Sequence, residues 1–199
     1  MAHRTIGLLL ITLLAATWAG CGASTTSKFY TLSSTAKAEG APEASYAVGV
    51  GPVSVPSSVD RPQFVVLVGE NRVEIDEFHR WAAPLDETIA RAVAGNLAVL
   101  LGTADVAVAP LASLNPAYLV SIDVQRFDSI PGEAVVVDAV WAVRQTKGKQ
   151  GQARNGHTAA REAVHDASYD ALAAAHSRAL ARLSSDIAAA IHGMTDLPR

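Results

Sequence analysis

The sequence predicts an α+β domain, with two main helices packed on one face of a largely antiparallel or mixed β-sheet. Stretches with an apolar residue at every second position, the pattern of strands with one buried face, run through residues 118–125 and 135–143. Two other stretches carry apolar residues at spacings of three and four, the pattern of a helix buried along one stripe. The resulting order, ββ-α-β-βββ-α, sets the helices to one side of the sheet. At 199 residues the chain has the length of one domain with appendages, and half its residues are hydrophobic, enough for a real core.

Residues 1–20 read as a cleaved lipoprotein signal peptide. His3 and Arg4 form a basic start, and Ile6 to Ala16 an apolar run of eleven. That run is shorter than the ~20 residues a spanning helix needs. Trp18-Ala19-Gly20 then precedes Cys21, the sole cysteine, as in a bacterial lipobox, although that pattern prefers Leu where Trp18 stands. On this reading Cys21 is acylated and becomes the mature N-terminus, each buried CH₂ adding about 0.8 kcal/mol of membrane affinity. A thiol that falls by chance near a cleavage site is the alternative. Gly22, where an Asp would retain the lipoprotein at the inner membrane, points to the outer membrane and its periplasmic face.

Residues 21–45 read as a lipid-anchored tether with a short strand at 29–32, Phe-Tyr-Thr-Leu, between polar stretches of linker composition. The globular domain spans 46–193. Val48, Val50, Val53 and Val55 form a β-rich stretch broken by Gly49, Gly51 and Pro52, which suggests a bulge or an edge strand. Phe64 to Val68 and Arg72 to Ile75, joined by Gly69-Glu70-Asn71, form a hairpin. A helix follows, with Pro84 near its start, Asp86 and Glu87 where the helix dipole favours acids, and Gly102 at its end. Its stripe is Leu85, Ile89, Val93, Leu97 and Leu100. Val106 and Val108 mark a short strand before Pro110, and Tyr118 to Gln125 a longer one. After a turn at Pro131-Gly132, Val135 to Val143 alternate, and Ala153 to Val164 return as a weaker strand. Residues 167–192 form a final helix with Leu172, Leu180, Leu183, Ile187 and Ile191 on one face, ended near Gly193.

Composition removes several functions. A formal charge of −3 gives no basic patch for nucleic acid. One cysteine leaves no internal disulfide, Cys-based zinc site or CxxC pair. Gly49-Val50-Gly51 is followed by Pro52, which removes a donor that a phosphate loop would need, and no GxSxG or P-loop occurs. Beyond His3 in the signal, His79, His157, His165, His176 and His192 are scattered without HxxxH or HExxH spacing, and His176 interrupts the last helix's apolar face, as a partly buried or boundary imidazole would. Glu74, Asp76, Glu77 and His79 form the densest polar cluster, read as a solvated edge, with a weak divalent site as the alternative. Asp166 and Asp170 are explained by the dipole of the helix they open. The reading is of a non-enzyme with no catalytic residue, resident metal or cofactor. Trp141 belongs to the core, while Arg61 and Trp81 are candidate contacts for a partner.

The ordered features resemble a known family. After the lipobox come FYTL at 29–32, VGVGPVSVPSSVDRPQFVV at 48–66, FHRWAAPLDETIARAVAGNLAVLLG at 78–102, YLVSIDVQRFD at 118–128 and AVVVDAVWAVR at 134–144. Asp60-Arg61-Pro62-Gln63, Trp81-Ala82 and Arg126-Phe127-Asp128 are its most specific parts. Over roughly 29–192 the chain is similar to the ABC-type transport auxiliary lipoproteins, the PqiC family. That resemblance implies an outer-membrane accessory subunit of an intermembrane lipid transport system. Its partners would be an MCE-domain protein with ABC or permease subunits, together with further copies of itself in a homo-oligomer. With no ATPase motif present, energy would come from another subunit. A lipoprotein scaffold for secretion or outer-membrane assembly shares every N-terminal feature, and a periplasmic hydrolase or metal-binding protein would require Glu74, Asp76, Glu77 or the histidines to converge in one pocket.

Overall fold

The computed structural model describes residues 26–38, 40, 44–110, 115–147 and 151–195. The signal segment and Cys21 lie outside them. Within them the elements run β1 (Lys28–Tyr30), β2 (Val48–Ser54), β3 (Gln63–Gly69), β4 (Arg72–Trp81), α1 (Leu85–Leu101), β5 (Val106–Val108), β6 (Tyr118–Ile130), β7 (Ala134–Gln145), β8 (Ala153–Ala163) and α2 (Tyr169–Thr195). The class is α+β as expected, but the strands divide between two sheets, β1-β4-β3 and β5-β2-β6-β7-β8. Both are mixed: β1 runs parallel to β4, and β2 runs parallel to both β5 and β6. The β3–β4 hairpin and the β6-β7-β8 meander are antiparallel. Among the described residues no helix is long and apolar enough to cross a membrane.

Local chemistry explains the elements. In β2 the pairing with β6 shifts between Val50 and Val53, around the cis Gly51–Pro52 bond, so the glycine–proline interruption is a bulge inside the sheet. β6 and β7 bury every second residue over most of their length. A bulge between Val124 and Arg126 resets the phase of β6 and keeps Phe127 and Ser129 on the buried face. α1 has acids in its first turn and ends at Gly102, whose φ of 62° is the left-handed conformation that glycine adopts without steric cost. Ahead of α2, the Ala171 N–H donates to Ser168 Oγ as an N-cap bond.

Both helices lie on one face of the five-stranded sheet. α1 covers β2 and β5, α2 covers β7 and β8, and the two helices pack against each other. Leu85, Ile89, Val93 and Leu97 from α1 meet Leu172, Leu180, Leu183 and Ile187 from α2 in one continuous core. Gly156 of β8 pairs with Trp141 of β7 on this face, and the indole lies where a Cβ on residue 156 would stand. Trp141 Nε1 donates to Thr158 Oγ1 (3.1 Å), which donates to Asp186 Oδ2 (2.5 Å), linking both strands to α2.

Candidate functional site

The most connected polar and aromatic site holds the N-terminal segment to the body. β1 is only three residues long, too short to persist on ladder bonds alone. Tyr30 of β1 and Leu32 beyond it are both buried. The Tyr30 ring meets Phe64 edge-on at 5.7 Å and stacks on His79 at 5.8 Å. His79 in turn stacks on Tyr169 at 4.0 Å, with the ring planes nearly parallel at 10°.

Asp76 organises this cluster. The backbone N–H groups of Phe78 and His79 donate to its Oδ1 at 2.8 and 3.0 Å, and the Tyr169 hydroxyl donates to its Oδ2 at 2.9 Å. His79 Nδ1 also lies 3.0 Å from Oδ2, an ion-pair distance at an angle poor for hydrogen bonding. Partial burial by itself raises the Asp76 pKa, but His79, the Phe78 N–H and Tyr169 together outweigh it and hold the carboxyl at about 2. Burial first, then the Asp76 carboxylate, pushes the Tyr169 phenol up. Tyr30 is raised by burial and by the nearby Asp170 and Asp76 charges.

A second fastening lies one turn of chain further on. Asn96 of α1 is fully buried, and its Oδ1 accepts three bonds, from Ser34 Oγ, Thr35 N–H and Ala36 N–H, each at 2.9 Å. The Ser33 N–H donates to Ser177 Oγ of α2 at 3.1 Å. Between this segment and the outer side of α2 runs an open groove of about 800 Å³, walled by Phe29, Thr31, Asp170, Ala174, Arg178 and Arg182. Arg178 spans its end, donating to Glu162 and to the Ala163 carbonyl.

The residues singled out from sequence separate. Arg61 and Trp81 do come together, in a recess of about 340 Å³ with Pro62 and Leu85. Trp81 is nonetheless a core residue, 5% exposed and stacked on Phe64 at 4.3 Å, so it offers that recess only an edge. The Arg61 Nε is buried without a partner. In the acidic cluster Asp76 and His79 meet, Glu77 pairs with Arg80 at 3.2 Å, and Glu74 is exposed. Among the described residues no three His, Cys, Asp or Glu side chains gather as metal ligands would. His157 pairs with Asp138 at 2.6 Å, and Asp166 accepts from the Ser168 N–H at 2.8 Å.

His176 departs from expectation. It is not at a boundary but completely buried, stacked on Phe127 at 3.8 Å, with Nε2 2.8 Å from Ser129 Oγ and Nδ1 unpartnered. Burial lowers its pKa to about 3, so the ring is neutral across the ordinary pH range. Sequence reasoning also missed Asn96 and Tyr169. Asn96 had a legible signal: it stands three residues after Val93, inside the apolar stripe, where a polar side chain needs a buried partner.

Comparison with known proteins agrees with the fold. Residues 30–188 match the family profile described as "ABC-type transport auxiliary lipoprotein component". No curated protein sequence matches the chain. Among solved structures, an uncharacterised protein superposes with a TM-score of 0.68 at 23% identity, over 83% of this chain and 99% of that one. A Xanthomonas campestris protein of the family DUF330 superposes with a TM-score of 0.63 at 18% identity, over 85% and 98% of the two chains. These likenesses concern the fold, whereas the profile spans nearly the whole body, from Tyr30 at the clamp to Ala188 in α2. The chain belongs to the ABC-type transport auxiliary lipoprotein component family.

Proposed function

We infer that the protein is a non-catalytic accessory subunit of an MCE/ABC-type intermembrane lipid transport system. It is acylated at Cys21, anchored in the outer membrane with its body on the periplasmic face, and works as a homo-oligomer beside an MCE-domain protein and its ABC or permease subunits. The observation that carries this reading is the family match over residues 30–188, on a body whose first strand begins seven residues after Cys21. A lipid tether supports such a role physically: confinement to one membrane raises the domain's effective concentration near a partner that reaches across the periplasm. Arg61 and the exposed edge of Trp81 are the proposed contacts to that partner.

Affinity purification from mild-detergent membranes, with cross-linking and mass spectrometry, tests the assignment. An MCE-domain protein cross-linked near Arg61 is the expected result. Secretion or outer-membrane assembly components in its place would overturn it. Cys21→Ser leaves folding intact and abolishes acylation, so a Cys21→Ser chain that stays membrane-bound after high salt refutes the anchor.

A further inference from the structure

The small sheet presents one face to its core and the other to solvent. Pairing fixes which residues share a face. Phe29, Arg80 and Gln63 stand in one row, and Tyr30 and Trp81 of the next row point into the core. Phe64, paired with Asp76, is fully buried, so by alternation the Val65–Ile75 and Leu67–Val73 pairs lie on the other side, where Val65 is itself covered and Ile75 and Val73 are exposed. Phe78 lies in the irregular stretch of β4 between Asp76 and Arg80, where the pairing with β3 shifts, and its ring is left exposed.

This small sheet carries four of the six large apolar side chains that are most exposed among the described residues: Phe29 at 65%, Val73 at 51%, Phe78 at 45% and Ile75 at 43%. Large apolar side chains gathered on one exposed element suit a surface that meets something other than water. Arg80, which shares the face, is matched by Glu77 at 3.2 Å, so attraction to anionic groups is not its main resource.

The start of the chain indicates the occupant. Eight residue steps separate Cys21 from Phe29. A chain of that length reaches about 28 Å at most. A domain of this size has a radius of gyration of roughly 15 Å, so the tether cannot pass around the body to its far side. The tether also leaves from β1, which carries Phe29 on the apolar face itself. A lipid on Cys21 thus holds this face, and not the far side of the body, against the bilayer.

We propose that the outer face of the β1-β4-β3 sheet, centred on Phe29, Ile75 and Phe78, docks on the lipid surface in which Cys21 is anchored. The inference rests on the acylation proposed above. Docking proceeds by shallow insertion of apolar side chains, so it depends little on the anionic lipid content.

Tryptophan fluorescence in vesicles tests it. The full chain, expressed with its signal so that it is acylated, is reconstituted in phosphatidylethanolamine–phosphatidylglycerol vesicles with or without brominated acyl chains. Tryptophan is introduced singly as Phe29→Trp, Ile75→Trp or Phe78→Trp, and as Val99→Trp or Val140→Trp at exposed sites on other elements. The buried Trp81 and Trp141 provide the baseline. The first three variants are expected to lose emission to the brominated lipid and to be shielded from acrylamide, while Val99→Trp and Val140→Trp remain open to acrylamide and untouched by bromine. Acrylamide quenching of all five without bromine quenching places the face in water and overturns the proposal. Shielding of the first three from both quenchers also overturns it, because a second copy or a partner protein then covers the face. An unacylated Cys21, read by mass spectrometry, overturns anchor and docking together. Acylated, vesicle-bound chain whose sheet tryptophans escape the bromine overturns docking alone.

Discussion

Truncating Asn96 to alanine unfastens the N-terminal segment at its most concentrated point. One buried oxygen accepts three bonds at 2.9 Å, from Ser34 Oγ and from the backbone amides of Thr35 and Ala36. At a net value of about 1 kcal/mol each, the three contribute about 3 kcal/mol. Two features reduce that loss. Ser34 and Thr35 lie on the exposed side of the segment, so water can reach the freed donors, and Asn96 Nδ2 has no partner, so truncation also removes an existing penalty. The expected cost of Asn96→Ala is therefore about 2 kcal/mol, a fall in Tm of roughly 4–8 °C for a domain of this size. Ser34→Ala removes one of the three bonds and costs about 0.5–1 kcal/mol. Hydrogen exchange supplies the local readout: the Thr35 and Ala36 amides, protected in the wild type, exchange quickly in Asn96→Ala, while the amides of β7 keep their relative protection. An Asn96→Ala protein with wild-type stability and unchanged exchange at 35 and 36 refutes the clamp.

Gly156→Ala places a Cβ 2.1 Å from Trp141 Cζ2, so the indole must leave its bond to Thr158; the loss is about 3 kcal/mol, read by thermal unfolding and by a red-shifted tryptophan emission. Asp76 ionises at about 2 in the fold against 3.8 ordinarily, so its contribution is complete above pH 4 and disappears as pH falls through 2. Denaturant unfolding across that window is expected to show a shallower acid loss in Asp76→Asn, and Tyr169→Phe is expected to cost about 1 kcal/mol at neutral pH. His176 titrates at about 3 in the fold against 6.5 ordinarily, so the unfolded chain binds the extra proton between those values and stability falls as pH drops below 6.5. Between pH 7 and 5 this amounts to about 2 kcal/mol, which His176→Phe abolishes while paying at all pH values for an unpartnered Ser129 hydroxyl.

The legible parts of this fold were those whose signal is local. β6, β7 and the stripe of α1 follow from alternation and spacing within a dozen residues, and Gly102 and Pro131-Gly132 are punctuation that needs no distant partner. The division into two sheets was not legible, because it depends on parallel pairings such as Lys28 with His79, whose partners are far apart in sequence. The same pairing extends β4 to Trp81, past the polar run that follows Ile75, where the local pattern ends the hairpin strand. At the candidate site, Glu74, Asp76, Glu77 and His79 were found as a group, but only the fold separates Asp76, which binds Tyr169, from Glu74, which faces water. The complete burial of His176 depends on Ser129 and Phe127, whose placement follows from a bulge in β6 that no spacing rule marks.

The two fastenings matter because of where they sit in the chain. With a lipid on Cys21, any pull between membrane and body passes through residues 22–36, and three ladder pairs in β1 could not carry it alone. Tyr30 sits against Phe64, His79 and Tyr169, so it ties the tether to β3, β4 and α2 together. Asn96 and Ser177 then tie the next residues to both helices. A tether fixed at only one of these points would pivot, and the body could present any face to the bilayer. Fixed at both, the segment enters the body along one line and sets the body's orientation. If Cys21 carries the proposed lipid, Asn96→Ala is therefore expected to broaden the orientation of the vesicle-bound body at temperatures well below its lowered Tm, which separates a clamp that aligns the body from one that merely adds stability.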